Sequence, residues 1–186
     1  MHWADFTAQR LAQRGDKHII ASGITPSGEF HIGHLREILT GDMVTRACKD
    51  AGMDAEFVFI VDSADPLRKV YPFLSDEYEK YIGCPLALIP APDEDGNPSD
   101  SGISYAQYFL DPFLKALEQI DVRPRIIDNY ESYSNGKFAE RARIVCENPD
   151  KIREIIERVS GRELSDDWFP FNPYGHNGSL DGVTVT

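Results

Sequence analysis

Two histidines three residues apart, His31 and His34, stand in the run Ala21-Ser-Gly-Ile-Thr-Pro-Ser-Gly-Glu-Phe-His-Ile-Gly-His34. Imidazole N–H groups donate hydrogen bonds to phosphate oxygens and can stabilise the charge that grows there during displacement at an α-phosphorus. Gly33 lies between them without a side chain, so a flat base or a ribose could approach the backbone more closely there than beside any other residue. Each part alone has a plainer reading. A histidine near a helix start is by default a cap or a surface residue, and His-x-x-His also suggests a pair of metal ligands. Zinc, however, needs three or four ligands, and no cysteine or carboxylate cluster nearby completes a set.

The elements around the histidines decide between these readings. Lys17 to Ser22 suits a short buried strand, and Gly23 to Gly28 is the turn that ends it. From Gly33 onward Leu35, Ile38, Leu39, Met43 and Ala47 recur at steps of three or four, which predicts an amphipathic helix with a stop at Gly52. Glu56 to Val61 is then a nearly continuous apolar run, as in a strand covered on both faces. Strand, helix and strand in that order predict a right-handed βαβ unit in a parallel sheet, whose ligands bind beyond the carboxyl ends of the strands. Those ends are Ser22 to Thr25 and Asp62 to Asp65. A turn that opens a helix offers free backbone N–H groups and a positive dipole end, both of which attract phosphate. Histidines, glycine-bearing turn and helix together point to a nucleotide site and to adenylate formation.

Further along, Pro90 to Gly102 reads as an exposed loop, Ser104 to Ile120 as a helix and Arg125 to Ile127 as a third strand. Lys137 to Cys146 and Asp150 to Val159 have helical spacing on either side of Asn148-Pro149, with Asp150 as N-cap and Gly161 as stop. Tyr71, Phe73, Tyr78, Tyr81, Tyr105, Tyr108 and Phe109 could be taken for a base-stacking platform, but core packing is the expectation. Glu154, Glu157 and Arg158 read as an exposed helix face.

Composition bounds these readings. The 186 residues are 41% hydrophobic, enough for one buried core or one domain with a substantial insertion. The net charge of -12 argues against nonspecific wrapping of nucleic acid, so any RNA contact must be local. Cys48, Cys84 and Cys146 are widely separated and fit neither a disulfide framework nor a zinc knuckle. No run approaches the roughly 20 apolar residues of a membrane span, and Met1 to Arg14 lacks a signal peptide's apolar centre, so a cytoplasmic location is expected.

His31-Ile-Gly-His34 is the four-residue signature of class I aminoacyl-tRNA synthetases, and its flanks, Ser22-Gly-Ile-Thr-Pro-Ser-Gly28 and Leu35-Arg-Glu37, resemble the class I lysyl enzymes. Asp62-Ser-Ala-Asp-Pro-Leu-Arg-Lys-Val-Tyr-Pro72 is similar to the same family, as are Ser160-Gly-Arg-Glu-Leu164, Trp168 and Pro170-Phe-Asn-Pro173. The resemblance implies an α/β fold: a Rossmann-like parallel sheet with an inserted α+β subdomain, the nucleotide-binding fold being incomplete in this chain. Residues 1–130 would be the first half of the catalytic domain, and 131–186 a helical segment and the start of the connective subdomain. It implies ATP-dependent activation of lysine, with Mg²⁺, followed by transfer to tRNA(Lys). His31 and His34 would be catalytic and would contact ATP together with Thr25, Pro26, Ser27 and Gly33, and Gly23 and Thr25 would line the lysine pocket. Asp62 and Asp65, at the right strand end, could accept the lysine ammonium, which gains most from a carboxylate in a partly dry site. Capping of the turn before Pro66 is the equal alternative for that pair. Arg68 and Lys69 could meet phosphate or the tRNA end, though a solvated pair is the simpler expectation.

The chain departs from the family pattern in two places. Family members often carry paired cysteines after the asparagine and proline that correspond to Asn172-Pro173, whereas here Tyr174-Gly-His-Asn-Gly178 follows. Thiolate ligands are missing and His176 cannot replace them, so no structural zinc is expected. The Lys-Met-Ser-Lys-Ser-type loop and an anticodon-binding region do not appear either. The expectation is a piece of a longer enzyme, inactive alone in aminoacylation but retaining weak ATP binding. The alternatives are a nucleotidyltransferase paralogue with another acid or alcohol substrate, and a non-catalytic ATP- or tRNA-binding module.

Overall fold

The computed structural model describes residues 2–175 and 178. A helix α1 (Trp3–Ala12) precedes strand β1 (Lys17–Ile24), helix α2 (Ile32–Asp50) and strand β2 (Asp54–Val61). After a long connection holding one 3-10 helix (Asp76–Tyr81) come α3 (Tyr105–Gln119), β3 (Arg125–Asp128), α4 (Asn129–Ser134), α5 (Ala139–Cys146) and α6 (Pro149–Ser160). The strands form an open parallel sheet in the order β1-β2-β3, with Ile24 opposite Val61 and Val61 opposite Asp128. This is the expected βαβ arrangement, part of a Rossmann-like sheet, and it brings three strand ends to one edge.

Period-2 alternation on β1 and β2 turns Ile24, Phe57, Phe59 and Val61 to one face, where Ile38 of α2 and Phe113 and Leu117 of α3 cover them. Burying a side chain such as Phe59 contributes about 2–3 kcal/mol, so this face anchors the sheet. The other face is barer, and Ile19 on edge strand β1 is 63% exposed. The stripe of α2 that faces inward is Ile38, Gly41, Val44, Thr45, Ala47 and Cys48. Met43, expected on that stripe, lies off it and is 38% exposed. The shift follows from Gly41: a Cβ there would overlap the Phe57 ring, so the helix seats against β2 at its smallest residue. Its opposite flank receives α1, through Ala4 and Ala8, in a third cluster with Val44, Cys48 and Met53.

The connection between β2 and α3 packs its own cluster around Leu67, Tyr78, Leu86, Ile89, Tyr105 and Phe109. Tyr78, Tyr105 and Phe109 thus satisfy the core reading, with the Tyr78 hydroxyl donating to the Pro90 carbonyl at 2.9 Å. Phe73 and Tyr108 do not, being 47% and 43% exposed. The helix expected from Asp150 starts one residue earlier. Asn148 is its N-cap and Pro149 occupies the first turn, where a missing N–H costs nothing. Gly161 ends it in the left-handed region at φ 67, as expected. Neither α5 nor α6 has a buried residue, and Val159 is 77% exposed. Among the described residues no helix is long and apolar enough to cross a membrane. His176 and Asn177 lie outside the described residues.

Candidate active site

The first turn of α2 is built from the two histidines. His31 is its N-cap, in extended conformation, and its Nδ1 accepts the Gly33 N–H at 3.0 Å. The His31 N–H in turn donates to Nδ1 of His34 at 3.1 Å, which closes a reciprocal capping box. The rings stack with centroids 3.9 Å apart and planes 28° from parallel. With both Nδ1 lone pairs occupied by backbone donors, the neutral rings must carry their protons on Nε2. Burial and the charge of His31 lower the pKa of His34, against a smaller opposing pull from Glu37. Capping occupies the Nδ1 side of each ring, so it does not compete with a second contact through Nε2. Gly33 makes this possible, since a Cβ there would lie 2.8 Å from the His31 ring. Gly33 is half-buried beside that ring.

The cleft over these rings measures about 660 Å³ and is lined by Thr25, Ser27, Gly28, His31 and His34 from the turn and helix start. Pro26 is fully buried beneath it. The connection and α3 add Tyr71, Phe73, Tyr108 and Phe109 to the lining, which also includes the acidic side chains of Glu29, Asp93 and Glu94. Tyr71 and Phe73 stack at 5.7 Å with planes 4° apart. Gly96, at φ 82, lets the 93–97 turn close against Phe73, whose carbonyl a Cβ would strike. The buried hydroxyl of Tyr105 donates to the Ser27 carbonyl at 2.8 Å and ties α3 to the turn. Periodicity could not single out Phe73 and Tyr108, because the same aromatic-rich stretch supplies the core.

Thr25 links this cleft to a second group of residues. Its hydroxyl donates to Asp65 at 2.7 Å, and Arg68 lies 3.5 Å from the same carboxylate. Asp62 follows the end of β2, where its N–H donates to the Ile24 carbonyl at 3.0 Å. One carboxylate oxygen accepts a hydrogen bond from Asn129, and the other faces Gly23, 3.5 Å from where a Cβ would stand. Burial, followed by the charge of Asp65, raises the pKa of Asp62, while the Asn129 bond opposes the rise. Both aspartates do close a turn through the Asp65 N–H to the Asp62 carbonyl at 3.2 Å, yet their side chains engage other segments. Gly23, Asp62 and Asp65 therefore form a group beside the cleft, joined to it by Thr25. Lys69 lies over Tyr71 at 5.5 Å, and the guanidinium of Arg68 is largely solvated. No trio of histidine, cysteine or carboxylate side chains is disposed to hold a metal among the described residues.

The imidazole pair at the start of α2 and the carboxylate pair at the end of β2 both fall within the reach of one family model. The model for tRNA synthetases class I (K) matches residues 1–186. The chain belongs to that family. It is 44% identical over 187 residues to a lysine–tRNA ligase of Archaeoglobus fulgidus, covering all of this chain and 37% of the relative. A lysine–tRNA ligase of Methanosarcina barkeri is 44% identical over 173 residues, 93% of this chain and 31% of its own length. One from Picrophilus torridus is 42% identical over 186 residues, covering 35% of that protein. The chain thus spans about a third of the length of the curated relatives it matches.

Proposed function

We propose that this chain carries the ATP-binding half of a class I lysine–tRNA ligase site, and that the intact polypeptide activates lysine and transfers it to tRNA(Lys) in the cytoplasm. A lysine carboxylate oxygen attacks the α-phosphorus of ATP, forming the acyl phosphate bond as the bond to the bridging oxygen breaks and pyrophosphate leaves. The 3′-terminal hydroxyl of the tRNA then attacks the acyl carbon, forming the ester and releasing AMP. The Nε2–H donors of His31 and His34, at the positive end of α2, would meet the phosphates where charge accumulates. Thr25, Pro26 and Ser27 shape the turn beneath them, and Gly33 leaves room for the His31 ring. Mg²⁺ would arrive on the triphosphate's own oxygens.

In this reading Gly23 and Thr25 line the lysine pocket, and Asp62 and Asp65 accept the ammonium. A cation beside Asp62 would compensate the burial that disfavours its charged form. Residues 1–130 would form the first half of the nucleotide fold and 131–186 the start of the connective region. The observation that carries the reading is the capping box, which engages both Nδ1 atoms and sets the two imidazoles in the lining of a cleft of nucleotide size. Lysine-dependent ATP–pyrophosphate exchange by the intact polypeptide tests it. Exchange that ignores lysine, or that needs another amino acid, ends it.

A further inference from the structure

The carboxyl ends of β2 and β3 leave the sheet side by side, because Val61 pairs with Asp128. The next residues outward, Asp62 and Asn129, are neighbours although 67 positions apart in sequence. Two contacts fix the exit of β2 to the start of α4. The Asn129 amide donates to Oδ1 of Asp62, and the Tyr130 N–H donates to the hydroxyl of buried Ser63 at 3.3 Å. Asp128 caps α4 by accepting the Glu131 N–H at 2.9 Å, so the helix start that carries Asn129 is itself held.

An uncharged amide donor cannot exchange charge with an ammonium. Its effects on a carboxylate are to fix the plane of the group and to favour the ionised form. With Oδ1 held by Asn129, Oδ2 is left facing the bare backbone of Gly23. β1 presents no charge to Asp62 there. The charged neighbour is Asp65, whose carboxylate is engaged by Thr25 and Arg68. Burial and Asp65 both work against ionisation of Asp62, and the Asn129 bond works for it.

We propose that Asn129 is a positioning residue for the amino-acid substrate: its amide sets the plane of the Asp62 carboxylate so that Oδ2 stays turned to Gly23, where the substrate ammonium is accepted. This rests on the assignment of Asp62 as an ammonium acceptor. No periodicity or motif marks Asn129, and only the parallel register brings it to the site.

The intact polypeptide decides the matter with Asn129→Asp and Asn129→Ala. The first keeps the size of the side chain and suits a helix first turn, while turning the donor into an acceptor. The Asp62 carboxyl, followed by ¹³C NMR, should titrate at higher pH in both variants, and further up in Asn129→Asp. The KM for lysine should rise about ten-fold or more, the loss of a charge-assisted hydrogen bond. KM for ATP and kcat at saturating lysine should hold, and the acid limb of kcat/KM for lysine should move to higher pH. An unmoved Asp62 titration, or KM values for lysine and ATP that rise together with a lower melting temperature, overturns the proposal. If lysine fails to perturb the Asp62 resonance in the unsubstituted protein, the acceptor assignment itself is lost, and that is visible before any substitution is made.

Discussion

The two chemical groups of the candidate site are held in opposite ways. His31 and His34 are fixed by bonds that span two or three residues within one helix turn. Asp62 and Asp65 are fixed by bonds from Asn129 and Thr25, 67 and 40 residues away. The histidine turn is a local structure whose geometry forms with the helix. The carboxylate group exists only when β1, β2 and β3 have assembled in register. Local sequence can therefore announce the first kind of site and can merely hint at the second.

The sharpest way to break this contrast is His34→Ala. It removes half the capping box together with the imidazole that the proposed function sets against the phosphates, and should lower kcat for lysine-dependent exchange by about 10²–10³-fold. Stability to denaturant should fall by only about 1 kcal/mol, as for a lost cap. A comparable loss in both measurements would mean that the turn is structural first.

Asp62→Asn should act in the reverse sense on stability. The amide keeps an acceptor for Asn129 but removes the charge that burial and Asp65 disfavour. Lysine kcat/KM should drop by about 100-fold, while the variant melts at higher temperature at neutral pH. A variant that melts lower would show the charge to be compensated within the fold. Thr25→Val tests the long-range bond to Asp65 with a smaller expected effect, a rise in lysine KM of about ten-fold with little change in kcat.

The smallest effect separates the groups by pH. The pKa of His34 lies below the ordinary 6.5 in the folded chain, so folding favours its neutral form. The stability it contributes is complete above that value and is lost as pH falls through the folded pKa. Asp62 runs the other way: its pKa is raised above 3.8, so its cost is present at neutral pH and disappears on acidification. His34→Gln keeps an acceptor at the third helical position and does not titrate. Thermal melts between about pH 7.5 and about pH 5.5 should show the wild type losing stability relative to this variant.

The βαβ unit, the Gly52 and Gly161 stops and the histidine turn were legible because each depends on neighbours in sequence. Helix α1 was not. Its buried contacts are Ala4 and Ala8, whose small side chains give a faint periodic signal although they seat closely on α2. Met43 misled for a related reason: it is the more hydrophobic residue, but Gly41 is the one that lets the helix touch β2. The aromatic residues of the connection divide between core and cleft wall according to tertiary packing that spacing does not encode. Asn129 carries no signature at all, since an asparagine at a helix start is an ordinary helix-start residue until a strand register sets it beside an aspartate.

The contact of Gly41 with Phe57 also works as a gauge. The histidines ride on the front of α2, and Asp62 stands at the end of the strand that carries Phe57. One missing methyl group, two turns behind the imidazoles, thereby sets the span between the imidazole pair and the carboxylate pair, and a side chain added there would act on that span without touching either pair.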